Sequence, residues 1–452
     1  MKRIVLLPIE TIAREFDYKL ALAHRVSDSN TTCIIGQHNY LNKVFKYFKG
    51  GVYFGKNVFP DLVPCSSEFY YKLKENNFSL LYHNEEGGVH AGSEADWIVR
   101  LKSQIDTTIL QKDDAILCWG DFQTNYYKSL GMSFPIFNVG CPRLDIKPNS
   151  DLFELAQKFS KIKDEKFILI NTNFALVNHM MGLTAELNYL KSRDNDGIND
   201  LHKINLWYSS VFKKMGSFLQ MIVMLIVENP SQKFVIRPHP TESLEVYDYL
   251  QSVYPNLEVS NSDNAVNWIS KCKLLIQNNC TTSLEAYFMK VPVINFQPTE
   301  TPFSVNVLND VGQNIESVDE LQQLISQNVI DAKSNLSESS KIKSLINNFV
   351  ESKSSIETIA EIIDKFLENK ERSKVSIFAL RKTFLKNKIR NALFYFPRFL
   401  FPSKLKAYKM HKSHFLGFNK KETVDKIDFL NKKNHKSLKI QFLNKELFII
   451  SS

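Results

Sequence analysis

Short apolar runs that stop abruptly at polar residues recur along this chain. In the first half they cover residues 3–8, 32–35, 52–54, 78–82, 115–119 and 136–139. Apolar runs of this length without alternation are the pattern of strands buried on both faces of a parallel sheet. In the second half the same pattern predicts strands at 166–173, 233–237, 257–260, 273–277 and 291–296. Helical periodicity marks a long helix from about Leu201 to the residue before Asn229-Pro230, and further helices at 318–329 and 354–367. The alternation of strands with helices predicts two α/β halves built from βαβ units. Two prolines, Pro142 and Pro148, read as the approach to a hinge. The expected domains are therefore 1–150 and 151–370, with 371–452 as an extension.

A chain of 452 residues is too long for one ordinary core, which agrees with two domains. The six cysteines show no CxxC and no metal-ligand spacing, so neither a disulfide framework nor a zinc site is expected and a reducing cytoplasm fits. The start, Met1-Lys2-Arg3 and the apolar residues 4–9, is too short and too soon followed by Glu10, Arg14 and Glu15 for a signal peptide. The other long apolar run, 221–227, is far shorter than the ~20 residues of a membrane span. No membrane crossing is expected.

Charge divides the chain. Residues 371–452 hold 20 Lys and Arg against 5 Asp and Glu, a net of +15, leaving 37 against 43, or −6, for residues 1–370. Within the tail, the basic stretch 381–390 runs into the aromatic stretch 394–401. Cations beside large rings suit an anionic membrane surface. The expected location is thus cytoplasmic, peripheral on the inner face of the cytoplasmic membrane. The alternatives for the tail are a structural cap on the core and nucleic-acid binding, the last not expected.

Candidate chemistry sits where apolar runs end. One run delivers Arg237-Pro238-His239-Pro240, and another delivers Gln277-Asn278-Asn279-Cys280 and then Thr281, Thr282 and Ser283 at a helix start, with Glu285 one turn further. Ligands of open α/β sheets bind at the carboxyl edge, and a helix start with free N–H groups favours an anion. Arg237, His239 and the three hydroxyls together predict a phosphate site. In the first half, Glu85-Glu86-Gly87-Gly88 follows a buried-strand pattern. Adjacent carboxylates at a strand end are candidates for a general base, one pKa being raised by the other's charge and by burial. The lone His24, His38, His90, His179 and His202 have no spacing that marks a metal site.

Leu6-Leu7-Pro8-Ile9-Glu10 with Arg14, Glu15 and Asp17, Gly50-Gly51-Val52-Tyr53 with Lys56, Glu85-Glu86-Gly87 and Arg237-Pro238-His239-Pro240 together resemble the bacterial surface carbohydrate biosynthesis proteins. The resemblance spans about residues 1–370, and residues 412–430 resemble that family's C-terminal helix. The family is in turn similar to bacterial sialyltransferases and Kdo transferases, which have the glycosyltransferase-B (GT-B) architecture of two Rossmann-like domains facing a central cleft. The resemblance implies an acidic motif at Glu85 and Glu86 supplying the catalytic carboxylate. It implies a His-Pro motif at His239 and Pro240 and a hydroxyl motif at Thr281, Thr282 and Ser283, gripping the phosphate of a CMP-activated sugar. The implied activity is transfer of a Kdo-type or nonulosonic acid sugar to a glycan or glycolipid acceptor of the bacterial surface, in lipopolysaccharide or capsule. Arg237 and His239 would stabilise the departing phosphate, and Glu285 would hold the ribose hydroxyls or serve only as a helix-surface acid. Because the leaving group is a monophosphate, neither a metal nor another cofactor is expected. Two other readings stand beside this one: a CDP-polyol phosphotransferase of cell-envelope polymer synthesis, and a non-catalytic assembly factor.

Overall fold

The computed structural model describes residues 1–41, 43–56, 66–162, 166–192, 201–299, 305–327, 340–395 and 415–452. The chain forms two compact units. The first comprises Met1–Asp145, Ser150–Leu155 and Ser340–Ser452, and the second comprises Ile146–Asn149 and Ala156–Ser339. Both are α/β, so the expected fold class of two Rossmann-like units is the one observed.

The strands of the first unit are β1 (Arg3–Ile9), β2 (Thr31–Gln37), β3 (Gly51–Gly55), β4 (Phe78–Tyr82), β5 (Ala115–Cys118) and β6 (Ile136–Asn138). Strands β1 to β6 pair in parallel, and their buried residues line both faces. The second unit contributes β7 (Ile168–Asn171), β8 (Phe234–Arg237), β9 (Leu257–Val259), β10 (Leu274–Gln277), β11 (Val293–Phe296) and β12 (Gln313–Ile315). These form a parallel sheet in the order β12-β11-β10-β7-β8-β9. Every strand predicted from an apolar run is present, most within one or two residues of the expected limits. Strand β12 was not foreseen, because Gln313-Asn314-Ile315 carries no apolar run.

The last two strands, β13 (Lys439–Asn444) and β14 (Leu447–Ser451), form a hairpin. Strand β14 pairs antiparallel with β2, so the first sheet runs β13-β14-β2-β1-β3-β4-β5-β6. In each sheet the strand order reverses beside the unit's first strand, between β1 and β3 in the first and between β7 and β10 in the second. Those reversals open the crevices in which such sheets take ligands.

Two expectations about organisation are corrected. Residues 340–370, expected in the second domain, belong to the first unit. The helix Ser355–Leu367 buries Ile356, Ile359, Ala360, Ile363 and Leu367 and packs on the helix Ile12–Val26. Periodicity marks such a helix but does not say which sheet it covers. The extension 371–452 is likewise not separate. The helix Lys420–Lys433 packs on the helix Ile12–Val26, where Lys426 bonds Asp17 at 2.7 Å. Lys436 Nζ donates to the carbonyls of His24 and Arg25, both at 2.8 Å, near the last turn of the helix Ile12–Val26, where a cation meets free carbonyls. A good part of the basic tail is therefore cap. The aromatic stretch expected at 394–401 lies, from residue 396 on, outside the described residues.

The helix Leu201–Glu228 is present, and its section Ile204–Glu228 is long and apolar enough, by length and composition, to cross a membrane, an 18-residue window of it having a mean hydropathy of 1.5. This corrects the reading that its apolar run is too short. One face, with Phe218, Met221, Ile222, Leu225 and Ile226, is buried in the core of the second unit against β7 and β8 residues such as Ile170 and Ile236.

Candidate functional site

Parallel strands end on one edge, and this gathers the polar residues that stop the apolar runs of the second unit. Asn171 closes β7 in register with Arg237 at the end of β8, and β10 ends beside β7 at Gln277. Asn171 Nδ2 donates to Thr282 Oγ1 at 3.1 Å, and Arg237 Nη2 donates to the Asp263 carbonyl at 3.0 Å. Three buried polar atoms at this edge, Arg237 Nε, Asn171 Oδ1 and Asn278 Nδ2, have no hydrogen-bond partner among the described residues. A buried polar atom left so costs about 1–3 kcal/mol, and a cluster of them makes this edge a candidate place for a polar ligand. Burial pulls the Arg237 guanidinium below its ordinary pKa, against the attraction of Glu285, Cys280 and Asp263. A guanidinium remains charged even so.

The loop after β8 is fixed by a residue the sequence reading passed over. Glu242 is buried and accepts from the amides of His239 and Phe174, each at 3.0 Å. It also accepts from the Thr172 hydroxyl at 3.0 Å and the Tyr247 hydroxyl at 2.7 Å. Burial raises its pKa, and those donors pull it back. Glu242 thus holds His239 half-buried at the sheet edge. The Thr241 amide donates to His239 Nδ1 at 3.4 Å, and the Thr241 hydroxyl lies 2.9 Å from the same nitrogen. A nitrogen that accepts an amide proton carries none of its own, so the neutral ring bears its proton on Nε2. That is the form able to donate to a phosphate oxygen.

The hydroxyl motif divides. Thr281 is half-exposed at the N-cap of the helix Thr282–Phe288 and makes no side-chain cap bond. Thr282 faces Asn171. Ser283 is 0% exposed and donates to the Cys280 carbonyl at 3.0 Å, so its hydroxyl is spent on the turn itself. The helix has seven residues, a short dipole that makes a weak anion site by itself. Asn279 bends the loop with φ +49°, a left-handed conformation that asparagine tolerates. Beside it Lys214, from the helix Leu201–Glu228, is buried and donates to Asn278 Oδ1 at 3.4 Å. Burial lowers its pKa to about 8.

The first unit gathers a different set at its own edge. Glu85 is 2% exposed and accepts from Lys19 Nζ at 2.8 Å and from the Tyr18 hydroxyl at 2.9 Å. Lys19 is also bound to Glu15 at 2.9 Å, and Lys56 Nζ stands 4.0 Å from Glu85 Oε2 and 3.0 Å from Glu10. Burial pushes the Glu85 pKa up, but Lys19, Lys56 and His83 outweigh it and hold the carboxyl well below the usual range. Lys19, despite burial, is raised to about 12 by Glu15 and Glu85. The raised pKa expected of this acidic pair is therefore reversed at Glu85, because cations rather than its acidic neighbour surround it. Glu86 differs: its side chain is 56% exposed and pairs with Arg14.

The turn carrying both acids is pinned from below. His83 is fully buried, stacked between Phe54 and Trp119, and its pKa is lowered by burial. Its Nδ1–H donates to the Leu117 carbonyl at 3.0 Å. Trp119 Nε1 donates to the Asn84 carbonyl at 2.8 Å, and a Cβ at position 88 would overlap the Trp119 ring, so only glycine fits there.

Residues 223–318 match the profile of the LIC12162 family transferase. The matched stretch is less than half of the chain, and it contains Arg237, His239, Glu242 and the 277–285 loop. No curated protein matches the chain. Among solved structures, UDP-GlcNAc 2-epimerase of Methanocaldococcus jannaschii in complex with UDP-GlcNAc and UDP aligns with a TM-score of 0.45 at 13% identity, over 81% of this chain and 100% of that one. The wall teichoic acid polymerase TagF, H548A variant, aligns with a TM-score of 0.47 at 13% identity, over 81% and 89%. S. aureus MnaA with UDP aligns with a TM-score of 0.44 at 12% identity, over 83% and 100%. At these scores no activity passes from those proteins to this one.

Of the residues singled out from sequence, Arg237, His239, Thr281, Thr282 and Glu285 lie on or beside the carboxyl edge of the second sheet. Pro240 is exposed in the same loop, and Ser283 lies beneath the surface. Glu85 and Glu86 share the edge of the first unit, one buried and one exposed. Asn171, Lys214 and Glu242 were missed in the second unit, and Tyr18 and Lys19 in the first, while Asn278 was noted at a strand end without a role. Asn171 had a legible signal, since it stops an apolar run as Arg237 does. Lys19 and Lys214 had none, each being one lysine within a helix.

Proposed function

We propose that this protein is a glycosyltransferase that takes a CMP-activated sugar of the Kdo or nonulosonic acid type and passes the sugar to a bacterial surface glycan or glycolipid. The observation that carries the donor site is the group of buried, unpartnered atoms, Arg237 Nε, Asn171 Oδ1 and Asn278 Nδ2, on neighbouring strands of a parallel sheet. The transferase match over 223–318 covers these residues except Asn171. In this reading the phosphate of CMP lies on Arg237 and His239 Nε2–H, Thr281 offers a hydroxyl, and Glu285 holds the ribose. Glu86 accepts the proton of the acceptor hydroxyl as its oxygen bonds to the anomeric carbon. The bond from that carbon to the phosphate oxygen breaks, its electron pair leaves with CMP, and the added charge falls on Arg237 and His239. Glu85 keeps Lys19 and the turn in place.

A second reading, transfer of a polyol phosphate from a CDP-linked donor, draws on Lys214. It is a second cation beside Asn278, as a diphosphate would require. Thermal shifts of the full chain with CMP, CDP-glycerol and UDP-sugars separate the two. Stabilisation by CMP and CMP-sugar, abolished in Arg237→Ala and weakened in His239→Ala, is the expected result. Stabilisation by CDP-glycerol but not CMP selects the second reading, and no response to any cytidine nucleotide removes both.

A further inference from the structure

The helix Ile377–Tyr395 has two apolar faces, and only one is used. Leu380 and Thr383 are buried, and Ile377 and Phe384 pack on the core of the first unit. Tyr40 bonds the Leu380 carbonyl, its ring meets Phe384 at 5.4 Å, and the Tyr47 hydroxyl lies 2.7 Å from Thr383 Oγ1. On the other side Phe378, Leu385 and Ile389 are 78%, 58% and 54% exposed. Positions 378, 385 and 389 are seven and eleven residues apart, so at 3.6 residues per turn they fall within about 40° of one another. Leu380 points the opposite way and Phe384 about 120° from Phe378. The exposed stripe is flanked by Arg381, Lys382 and Lys386, all exposed.

The charge along this stretch of the chain has one sign. From Arg372 to Lys421 the chain holds 14 Lys and Arg and no Asp or Glu. Three large apolar side chains in water with cations on both sides need a partner that is apolar within and anionic at its surface. We propose that the Phe378, Leu385 and Ile389 face docks on an anionic lipid bilayer, the three side chains entering the headgroup boundary and Arg381, Lys382 and Lys386 meeting lipid phosphate. Leucine and isoleucine decide against nucleic acid, since they offer no ring on which a base stacks. The helix lies in the plane of the surface, its other face held by the protein. This attachment is independent of the donor-site reading, because none of its residues belongs to that site.

Sedimentation of the full chain with phosphatidylglycerol vesicles and with phosphatidylcholine vesicles, at low and high salt, tests it. The wild-type chain is expected to pellet with the anionic vesicles at low salt and to be released as salt rises. Phe378→Ser/Leu385→Ser/Ile389→Ser should lose most of this binding. Arg381→Gln/Lys382→Gln/Lys386→Gln should weaken it by roughly a hundredfold. Both variants alter exposed positions, so their melting curves should match wild type and separate lost docking from lost folding. Wild-type binding by the apolar variant, absence of the wild type from anionic pellets, or preferential retention of a single-stranded oligonucleotide over the vesicles would overturn the proposal.

Discussion

Two adjacent glutamates with the same chemistry occupy opposite physical situations. Glu85 is buried and ion-paired, and removing one partner of such a pair leaves an uncompensated charge at a cost of about 3–5 kcal/mol. Glu86 is exposed on its pair with Arg14, and surface substitutions are usually within roughly ±0.5 kcal/mol of neutral. Glu86→Gln should therefore keep the melting temperature and the CMP-induced shift while product formation drops by roughly 10²–10⁴. Glu85→Gln should instead lower the melting temperature, because Lys19 then keeps Glu15 as its one carboxylate partner beside the Pro8 carbonyl. Measuring melting and turnover for both variants checks the division of roles; full activity in Glu86→Gln would remove its assignment as the proton acceptor.

At the scale of elements, the C-terminal hairpin completes the first sheet. Leu447, Phe448, Ile449 and Ile450 of β14 are buried, and burying four such side chains contributes roughly 6–12 kcal/mol, comparable to the whole stability of a domain. A chain ending after Leu438 would also leave β2 as an open edge, a template for aggregation. It should be recovered as insoluble protein, and a soluble, cooperatively melting truncation would show that the hairpin is dispensable. The seam between the helices Ile12–Val26 and Lys420–Lys433 also carries a titration. His24 Nε2 lies 3.2 Å from Asn431 Oδ1, and burial, with the nearby Lys436 charge, lowers its pKa from 6.5 to about 4. Between those values the unfolded chain binds a proton that the folded chain refuses. Stability is thus complete above the upper value and falls as pH drops toward the lower one, by on the order of 2 kcal/mol after solvent screening. Urea unfolding at neutral pH and at about pH 5 should show this loss, and His24→Gln should reduce it. An equal loss in that variant would assign it to other groups.

For the molecule as a whole, the proposed leaving group sets a requirement that can be checked without any mutation. A departing monophosphate met by Arg237 and His239 has no diphosphate for a divalent ion to bridge. Turnover should therefore persist in EDTA, and a tenfold loss restored by Mg²⁺ or Mn²⁺ would contradict the monophosphate donor. Charge is also a property of the whole chain. A tail of net +15 beside a remainder of −6 reads as a separate basic arm. Instead, Lys426 and Lys436 are consumed in closing the first unit, while Arg381, Lys382 and Lys386 stay exposed.

The sequence by itself determined the elements. Eleven strands announced themselves as apolar runs, because a strand buried on both faces can hold no polar residue until it ends. The residues that end those runs are the ones parallel pairing brings to one edge of each sheet, which is why Arg237 and His239 could be singled out as candidates in the second unit and Glu85 in the first. What the pattern could not contain is which surface each element covers and which charges meet there. Only the tertiary structure set the helix Ser355–Leu367 and the terminal hairpin on the first unit. Only it placed Lys19 from one helix against Glu85, so that the pKa expected to be raised is held low instead. Periodicity is a property of neighbours in sequence, whereas pKa and burial depend on neighbours in space.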